Sequence, residues 1–387
     1  MLHDRDAVRA QLPSLASQTY LNTGACGPLA APAARALHEW VEHDLSSGRG
    51  SLAGFGAVSE QAQLLRAATA PLVGGRASEM ALTANTTNGM NVIAWGIDWR
   101  LGDEIVMPAL EHPGLAVPLA NVVRRFGAVL RLVDHGGTGA RLVEEVAAVI
   151  GPRTRLVALS HVCWSTGALL DVAGVARLAH DAGALVAVDG AQTVGAIPVD
   201  AAALGADAYA FPAHKWLLGP GGLGALWVAP GALERIDLTH SGYESGTGHR
   251  AGGGITRHPG ARRHEVSTLP APLLPAWRAA IEWLDELGWE WIHERVSTMQ
   301  ARARSALAEI PGVSIITPPG RQAGLVAFTL AGHDPAAACA EMAAGGVIAR
   351  PLDHPSAMRV ATGFFTDDDD IGRLVTAVRA VAMGGGC

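Results

Sequence analysis

"ALVAVDG" (residues 184–190) and "DAYAFPAHKW" (residues 207–216) decide the fold. Each opens on a short apolar run bounded by turn residues. That pattern fits a strand covered on both faces, as in a parallel sheet. "DEIVMPA" (residues 103–109) and "RLVALSHV" (residues 155–162) read the same way. Between them, "DVAGVARLAHDAG" (residues 171–183) has helical spacing, an Asp at its start and a Gly at its end. Strand, helix and strand recur from about Met80 to Val228. The expected fold class is therefore α/β, built from βαβ units around a mostly parallel sheet. Ligands of such sheets sit at the carboxyl ends of the strands. Asp189 and Lys215 each fall just past such an end.

Lys215 is the only lysine in the chain; the other 28 of its 29 lysines and arginines are arginine. Arginine replaces lysine well on a surface but stays protonated, so it is no nucleophilic amine. Lysine becomes one when burial or a nearby charge lowers its pKa. A composition that has moved to arginine everywhere else points to amine chemistry at this position. Its neighbours are aromatic residues and glycines, not a charged helix face.

Apolar residues make up 49% of the 387 residues, so a sizeable core is easily built, and the length suggests two domains. A net charge of −7 without a basic cluster argues against nucleic acid. The uncharged stretch at residues 216–233 holds five glycines and two prolines, which is no membrane helix. Asp4, Arg5, Asp6 and Arg9 interrupt any signal-peptide pattern. Cys26, Cys163, Cys339 and Cys387 are scattered, which fits a reducing cytoplasm and neither disulfides nor zinc. The histidines show no metal-ligand spacing.

"GTGHRAGGG" (residues 246–254) reads as a mobile loop. From about residue 271 the texture changes. One long helix pattern runs through "AWRAAIEWLDELGWEWIHERV", followed by short strands and helices. We expect a large domain over residues 20–270 and a smaller α+β domain over residues 271–387, joined by residues 1–19. In "TDDDDIGRLV" (residues 366–375), Thr366 is read as a helix cap and the aspartates as charges favouring the helix N-terminus, not as a metal cluster. "GPGGLG" (residues 219–224) matches GxGxxG but precedes a strand, so it is no dinucleotide site.

An imine-forming lysine suits an aldehyde cofactor such as pyridoxal phosphate. That ring needs an acid at its nitrogen, a partner for its phenolic oxygen, a phosphate cradle and a flat cover. "VDGAQ" supplies Asp189 and Gln192; "TANTTNG" supplies Thr86 and Thr87 at a helix start, where phosphate binds well; "EHPG" supplies His112. Singly these residues say little. Asp189 is an ordinary strand-end residue, Thr86 and Thr87 are ordinary caps, and His112 is an ordinary packed histidine. Their order and context carry the reading.

That ordered set, with "YLNTGACGPL", "SHVCWSTG", "YAFPAHKW", "RQAGLVAFTL" and "MRVATGFFTDDDDI", resembles the class V branch of the fold type I pyridoxal-phosphate enzymes. The branch includes cysteine desulfurases, selenocysteine lyases, isopenicillin N epimerases and cyst(e)ine C–S lyases. The resemblance spans nearly the whole chain and is strongest to the C–S lyase type. It implies a large domain with a mostly parallel seven-stranded sheet, a smaller α+β C-terminal domain, pyridoxal 5'-phosphate as cofactor, and a homodimer with active sites at the interface. It implies that Lys215 binds the cofactor and moves the Cα proton. Asp189 would pair the ring nitrogen and Gln192 the phenolic oxygen, with His112 stacked on the ring. Thr86, Thr87 and His214 would hold the phosphate, and Thr268 would reach the phosphate of the partner subunit. Arg359 would grip the substrate carboxylate, with Arg350 nearby. Two departures stand out: Pro212 replaces a frequent hydroxyl residue, and Trp164 stands where many members have asparagine.

The resemblance leaves several reactions open. Desulfurases need a thiol on a mobile loop near the carboxylate arginine, and "PLDHPSAM" between Arg350 and Arg359 has none. Cys339 reads as a buried small residue, Cys387 as a frayed terminus and Cys26 as a space-filler near the substrate. The leading expectation is β-elimination on cystine or a cysteine S-conjugate, giving pyruvate, ammonia and a persulfide or thiol. The alternatives are an epimerase, a desulfurase or class V aminotransferase, and a catalytically silent binding protein on the same fold.

Overall fold

A computed structural model describes residues 3–320 and 323–384. Strands β1 (Met80–Thr83), β2 (Glu104–Pro108), β3 (Val129–Val133), β4 (Thr154–Ser160), β5 (Leu185–Asp189), β6 (Ala208–Pro212) and β7 (Gly224–Val228) form one sheet in the order β1-β7-β6-β5-β4-β2-β3. Its neighbours run parallel except around β7, which is antiparallel to both β1 and β6. The four strands read from the sequence fall here, each within two residues of its expected bounds.

The sequence pattern explains the layering. Val186 and Val188 of β5 face one core layer, and Leu185 and Ala187 face the other. A strand buried on both faces has no polar side, so it reads as an apolar run. In β6 the bulk is divided: Tyr209 and Phe211 on one face, Ala208 and Ala210 on the other. The alanine face receives a helix at close range. The main helices are α1 (Ala31–Ser47), α2 (Leu52–Thr69), α3 (Thr86–Gly96), α4 (Pro113–Phe126), α5 (Val172–Asp181), α6 (Leu273–Leu287), α7 (Trp289–Ala308) and α8 (Asp368–Gly384). A Cβ on Gly89 of α3 would lie 2.7 Å from the Ala210 Cβ, so glycine lets this helix sit on the sheet. As expected, Asp171 caps α5, accepting from the Gly174 N–H at 2.8 Å.

A second, antiparallel sheet contains β8 (Val313–Ile315), β9 (Leu325–Leu330), β10 (Arg350–Leu352) and β11 (Ala357–Ala361), in the order β8-β9-β11-β10. Met299 and Leu307 of α7, Leu374 and Val378 of α8, and Phe328 and Val360 of the sheet share its core. The N-terminal segment joins the two sheets. Asn22 bridges to Ala361, and the Gly27 N–H then donates to the His214 carbonyl at 2.8 Å. A Cβ on Gly27 would lie 2.1 Å from the Lys215 carbonyl, so only glycine permits this approach.

Two expectations need correction. The long helix is broken at Gly288, whose φ of +85° closes α6 and starts α7. Only glycine adopts that backbone freely, which is why the apolar period continues across a real break. α6 packs on α1 and α2, with Leu274 and Trp277 in the large-sheet core, whereas α7 reaches the second sheet. We therefore propose the passage between domains at Gly288 and not at residue 270. Nor does Thr366 cap α8. Its hydroxyl accepts from the Gly363 N–H at 3.0 Å, and Asp367 Oδ1 accepts from the Asp370 N–H at 2.9 Å. Within residues 246–254, Gly246–Thr247 pairs with Thr256–Arg257, so the loop read from its glycines begins in a short hairpin. Among the described residues, no helix is long and apolar enough to cross a membrane.

Candidate active site

The carboxyl ends of β2, β4, β5 and β6 surround a cavity of about 260 Å³. Thr86, Thr87, His112, Asp189, Gln192, His214, Lys215, Arg350 and Arg359 all line it, with Gly24, Asn85, Trp164 and Pro212. Every residue expected at this chain's own site lines it; Thr268 was expected to reach the partner subunit's phosphate. Thr268 lines a separate cavity of about 740 Å³ beside Trp40, Phe55 and Tyr243, with its hydroxyl 2.5 Å from that of Tyr243.

Lys215 is partly buried. Desolvation lowers its pKa to about 8, Asp189 pulls it back up, and Arg359 and Arg350 push it further down. A substantial fraction of the amine is neutral near physiological pH, as amine chemistry requires. Asp189 ends β5, and its Oδ1 accepts from the Ala191 N–H at 2.9 Å. Burial raises its pKa; Lys215 and that N–H oppose the rise. Gln192 is held at both ends: its amide donates to the Gly24 carbonyl at 2.7 Å, and its oxygen accepts from Trp216 at 3.0 Å. One amide N–H is left free.

His112 is the N-cap of α4, its Nδ1 accepting from the Gly114 N–H at 2.9 Å. Burial, then Lys215 and the two arginines, push its pKa down to about 4, so the ring is neutral and suited to stacking. Trp164 meets it edge-on, centroids 5.2 Å apart. Thr86 opens α3 behind Asn85, whose side chain accepts from the Asn88 N–H at 2.9 Å. Burial, then Lys215, lower the His214 pKa. Arg359 is 1% exposed, and the recorded hydrogen bond of its side chain is a donation from Nη1 to the Trp164 carbonyl at 2.5 Å. Burial, then Arg350, lower its pKa to about 9. Arg350 lies directly opposite it on the neighbouring strand.

Several buried polar atoms of this wall have no hydrogen-bond partner among the described residues: Thr86 Oγ1, His214 Nδ1, Arg359 Nε and Trp164 Nε1. Buried polar groups are normally paired. The Thr86 hydroxyl at the start of α3 and the His214 ring nitrogen on the same cavity wall suit a phosphate. A lysine and an aspartate that line the same cavity and shift each other's pKa suit an aldehyde-bearing ring. The donor set therefore fits pyridoxal phosphate.

The class-V aminotransferase family model matches residues 19–373. The chain belongs to this family. It is 34% identical over 328 residues to a probable cysteine desulfurase of Pseudomonas aeruginosa, covering 79% of this chain and 78% of that protein. It is 31% identical over 384 residues to the isopenicillin N epimerase of Streptomyces clavuligerus, covering 93% and 94%. Structures of the cystine C–S lyase C-DES superpose with a TM-score of 0.91 at 30% identity. One holds its product cysteine persulfide and spans 95% of this chain and 99% of that one. The other has glycine covalently linked to the pyridoxal phosphate cofactor and spans 96% and 98%. This chain is thus a fold type I, pyridoxal-phosphate-dependent enzyme of the cysteine desulfurase and C–S lyase-like group.

Sequence reasoning overlooked Asn85, Gly24 and Glu111. Asn85 was detectable as an N-cap residue directly before Thr86. A Cβ on Gly24 would lie 3.1 Å from Gln192 Oε1 and 3.3 Å from Arg359 Nη2, a closeness no local pattern signals. Glu111 is buried, its Oε1 accepting from the Ser160 N–H at 2.7 Å. Cys26 is exposed, and Cys163 and Cys339 are buried. No cysteine is among the described residues lining the cavity. Cys387 lies outside the described residues.

Proposed function

We propose that the chain is a C–S lyase that performs β-elimination on cystine or a related cysteine S-conjugate. The observation that carries this is the pair Arg350 and Arg359. The two face each other in register beside Lys215, and no acidic partner is recorded for either among the described residues. Like charges directly opposite repel, so the arrangement favours a substrate carrying two carboxylates. No thiol is among the described residues lining the cavity, which points the same way because desulfuration needs one.

When bound, pyridoxal phosphate supplies the electron sink for a carbanion at Cα. Thr86, Thr87 and His214 would hold its phosphate, Asp189 its ring nitrogen, Gln192 its phenolic oxygen and His112 its face. Arg359 binds the substrate α-carboxylate and so aims the Cα–H bond at Lys215. Lys215 Nζ takes that proton. The electron pair closes a Cα=Cβ bond as the Cβ–S pair leaves on sulfur. Release and hydrolysis give pyruvate and ammonia. From cystine the leaving group is cysteine persulfide, a stable anion, which Arg350 is placed to hold by its carboxylate.

The full-length similarity to an epimerase favours one second reading: Lys215 or another group returns the proton and no bond to sulfur breaks. We also propose a homodimer, supported by exposed Leu45, Leu52 and Phe55 on α1 and α2 beside the Thr268 cavity. Thr268 would then serve the partner's phosphate.

The test is to supply L-cystine and L-cysteine to cofactor-loaded protein and identify the carbon product. Pyruvate is expected. Alanine would mean desulfuration, and solvent deuterium at Cα without either product would mean epimerisation.

A further inference from the structure

Glu111 is a buried titratable group that the steps above do not use. It sits between the end of β2 and the His112 that opens α4. Its side chain crosses to the neighbouring strand β4. There Oε1 accepts from the Ser160 N–H at 2.7 Å, and Oε2 lies 2.5 Å from the Ser160 hydroxyl. Ser160 is the last residue of β4 and pairs in register with Asp189, the last residue of β5. Three adjacent strand ends are thereby linked, with His112 on one and Asp189 on another.

We infer that Glu111 is a positioning residue: its contacts with Ser160 set the His112 ring at a fixed height relative to Asp189 and so define the slot for the cofactor ring. This rests on the assignment of His112 and Asp189 to that slot. Among the described residues, the other holds on segment 109–112 are the Ala109 N–H to the Val133 carbonyl at 2.9 Å, Cys163 Sγ to the Leu110 carbonyl at 3.8 Å, and the bonds His112 makes within the first turn of α4; the tether through Glu111 is the one that runs to Ser160 beside Asp189. Glu111 also acts without charge. Burial first, and the neighbouring Asp189, push its pKa up to about 8, so it holds a proton at neutral pH. Asp189 is also pushed up by burial, but Lys215 and the Ala191 N–H pull it back down. A neutral carboxyl offers one donor and one acceptor, as a glutamine amide does. Glutamine should therefore replace it, and alanine should not.

The experiment compares wild type, Glu111→Gln and Glu111→Ala. It reads the visible circular dichroism of the bound cofactor, the affinity of the apoprotein for pyridoxal phosphate, and kcat and KM. We expect Glu111→Gln to match wild type. For Glu111→Ala we expect reduced dichroism, about tenfold weaker cofactor binding and a kcat about 100-fold lower from misplaced groups, with KM little changed. Wild-type dichroism and affinity in Glu111→Ala overturn the inference, as does a Glu111→Gln that behaves like Glu111→Ala. Should Glu111→Ala fail to fold, Ser160→Ala is read in its place. It removes the hydroxyl contact, and unchanged dichroism and affinity there overturn the inference equally. A wild-type protein that shows no cofactor dichroism would instead remove the slot assignment itself.

Discussion

Two arginines, Arg66 and Arg359, are both nearly inaccessible, yet their surroundings are opposite. Arg66 of α2 donates to both oxygens of Glu265, at 2.8 and 3.0 Å, and Glu265 also accepts from the Leu82 N–H at 2.9 Å. Arg359 has one backbone carbonyl, an unpartnered Nε and a second arginine opposite. Burying a charge costs several kcal/mol unless it is paired. The first arrangement is closed, so it serves the fold. It ties α2 to β1, the strand that leads into the Thr86 helix. The second is open, and a stable protein keeps an open cation in its interior where a ligand completes it.

Removing the open centre should affect chemistry most. In cofactor-loaded Lys215→Ala, pyruvate release should fall by more than about 10³-fold, since both amine attachment and proton transfer go. Release that persisted would break the mechanism. The wild-type lysine gives a matching pH signature. Its pKa is lowered to about 8, and only the neutral amine attacks the aldehyde. Capture of pyridoxal phosphate by apoprotein, followed by absorbance, should therefore rise with pH up to about 8 and level off above. A plateau reached only near 10 would mean that burial does not lower the amine's pKa.

The closed pair should respond in stability. Arg66→Ala leaves Glu265 buried and unpaired, and should destabilise by about 3–5 kcal/mol in denaturant unfolding. Replacing both, as Arg66→Met with Glu265→Leu, should recover most of that loss. Arg359→Leu should do the reverse. Folding stability should hold or rise, because an uncompensated charge is removed. The kcat/KM for cystine should fall by about 100-fold with the loss of a charged hydrogen bond pair. Equal destabilisation in Arg66→Ala and Arg359→Leu would erase the distinction drawn above.

The contrast also explains what the sequence could and could not reveal. The sheet was legible because its central strands carry short apolar runs, and the helix between β4 and β5 because Asp171 and Gly183 punctuate it. Lys215, Asp189 and His112 were legible because each lies at or a few residues past a strand's carboxyl end. Gly288 was not: an apolar helical period runs on through it, and only its φ of +85° shows the break. The Asp367 cap was hidden among four consecutive aspartates that look equivalent in sequence. Long-range partners were invisible. Nothing local pairs Arg66 with a residue 199 positions away, or sets Gly24 against Arg359.

Trp164 tests the boundary between the two kinds of burial. Its backbone carbonyl holds Arg359, its ring packs edge-on against His112, and its Nε1 has no partner. Trp164→Asn leaves the carbonyl in place, so the carboxylate grip should survive and KM for cystine should change little. What is lost is the ring contact, worth about 1 kcal/mol, so kcat should fall only about fivefold. The orphaned N–H makes the alternative measurable. If that N–H donates to the substrate, Trp164→Phe, which keeps the packing and removes the donor, should raise KM by about tenfold. Trp164 would then join Arg359 among the groups that a ligand completes. If Trp164→Phe matches wild type, the indole serves only to pack His112.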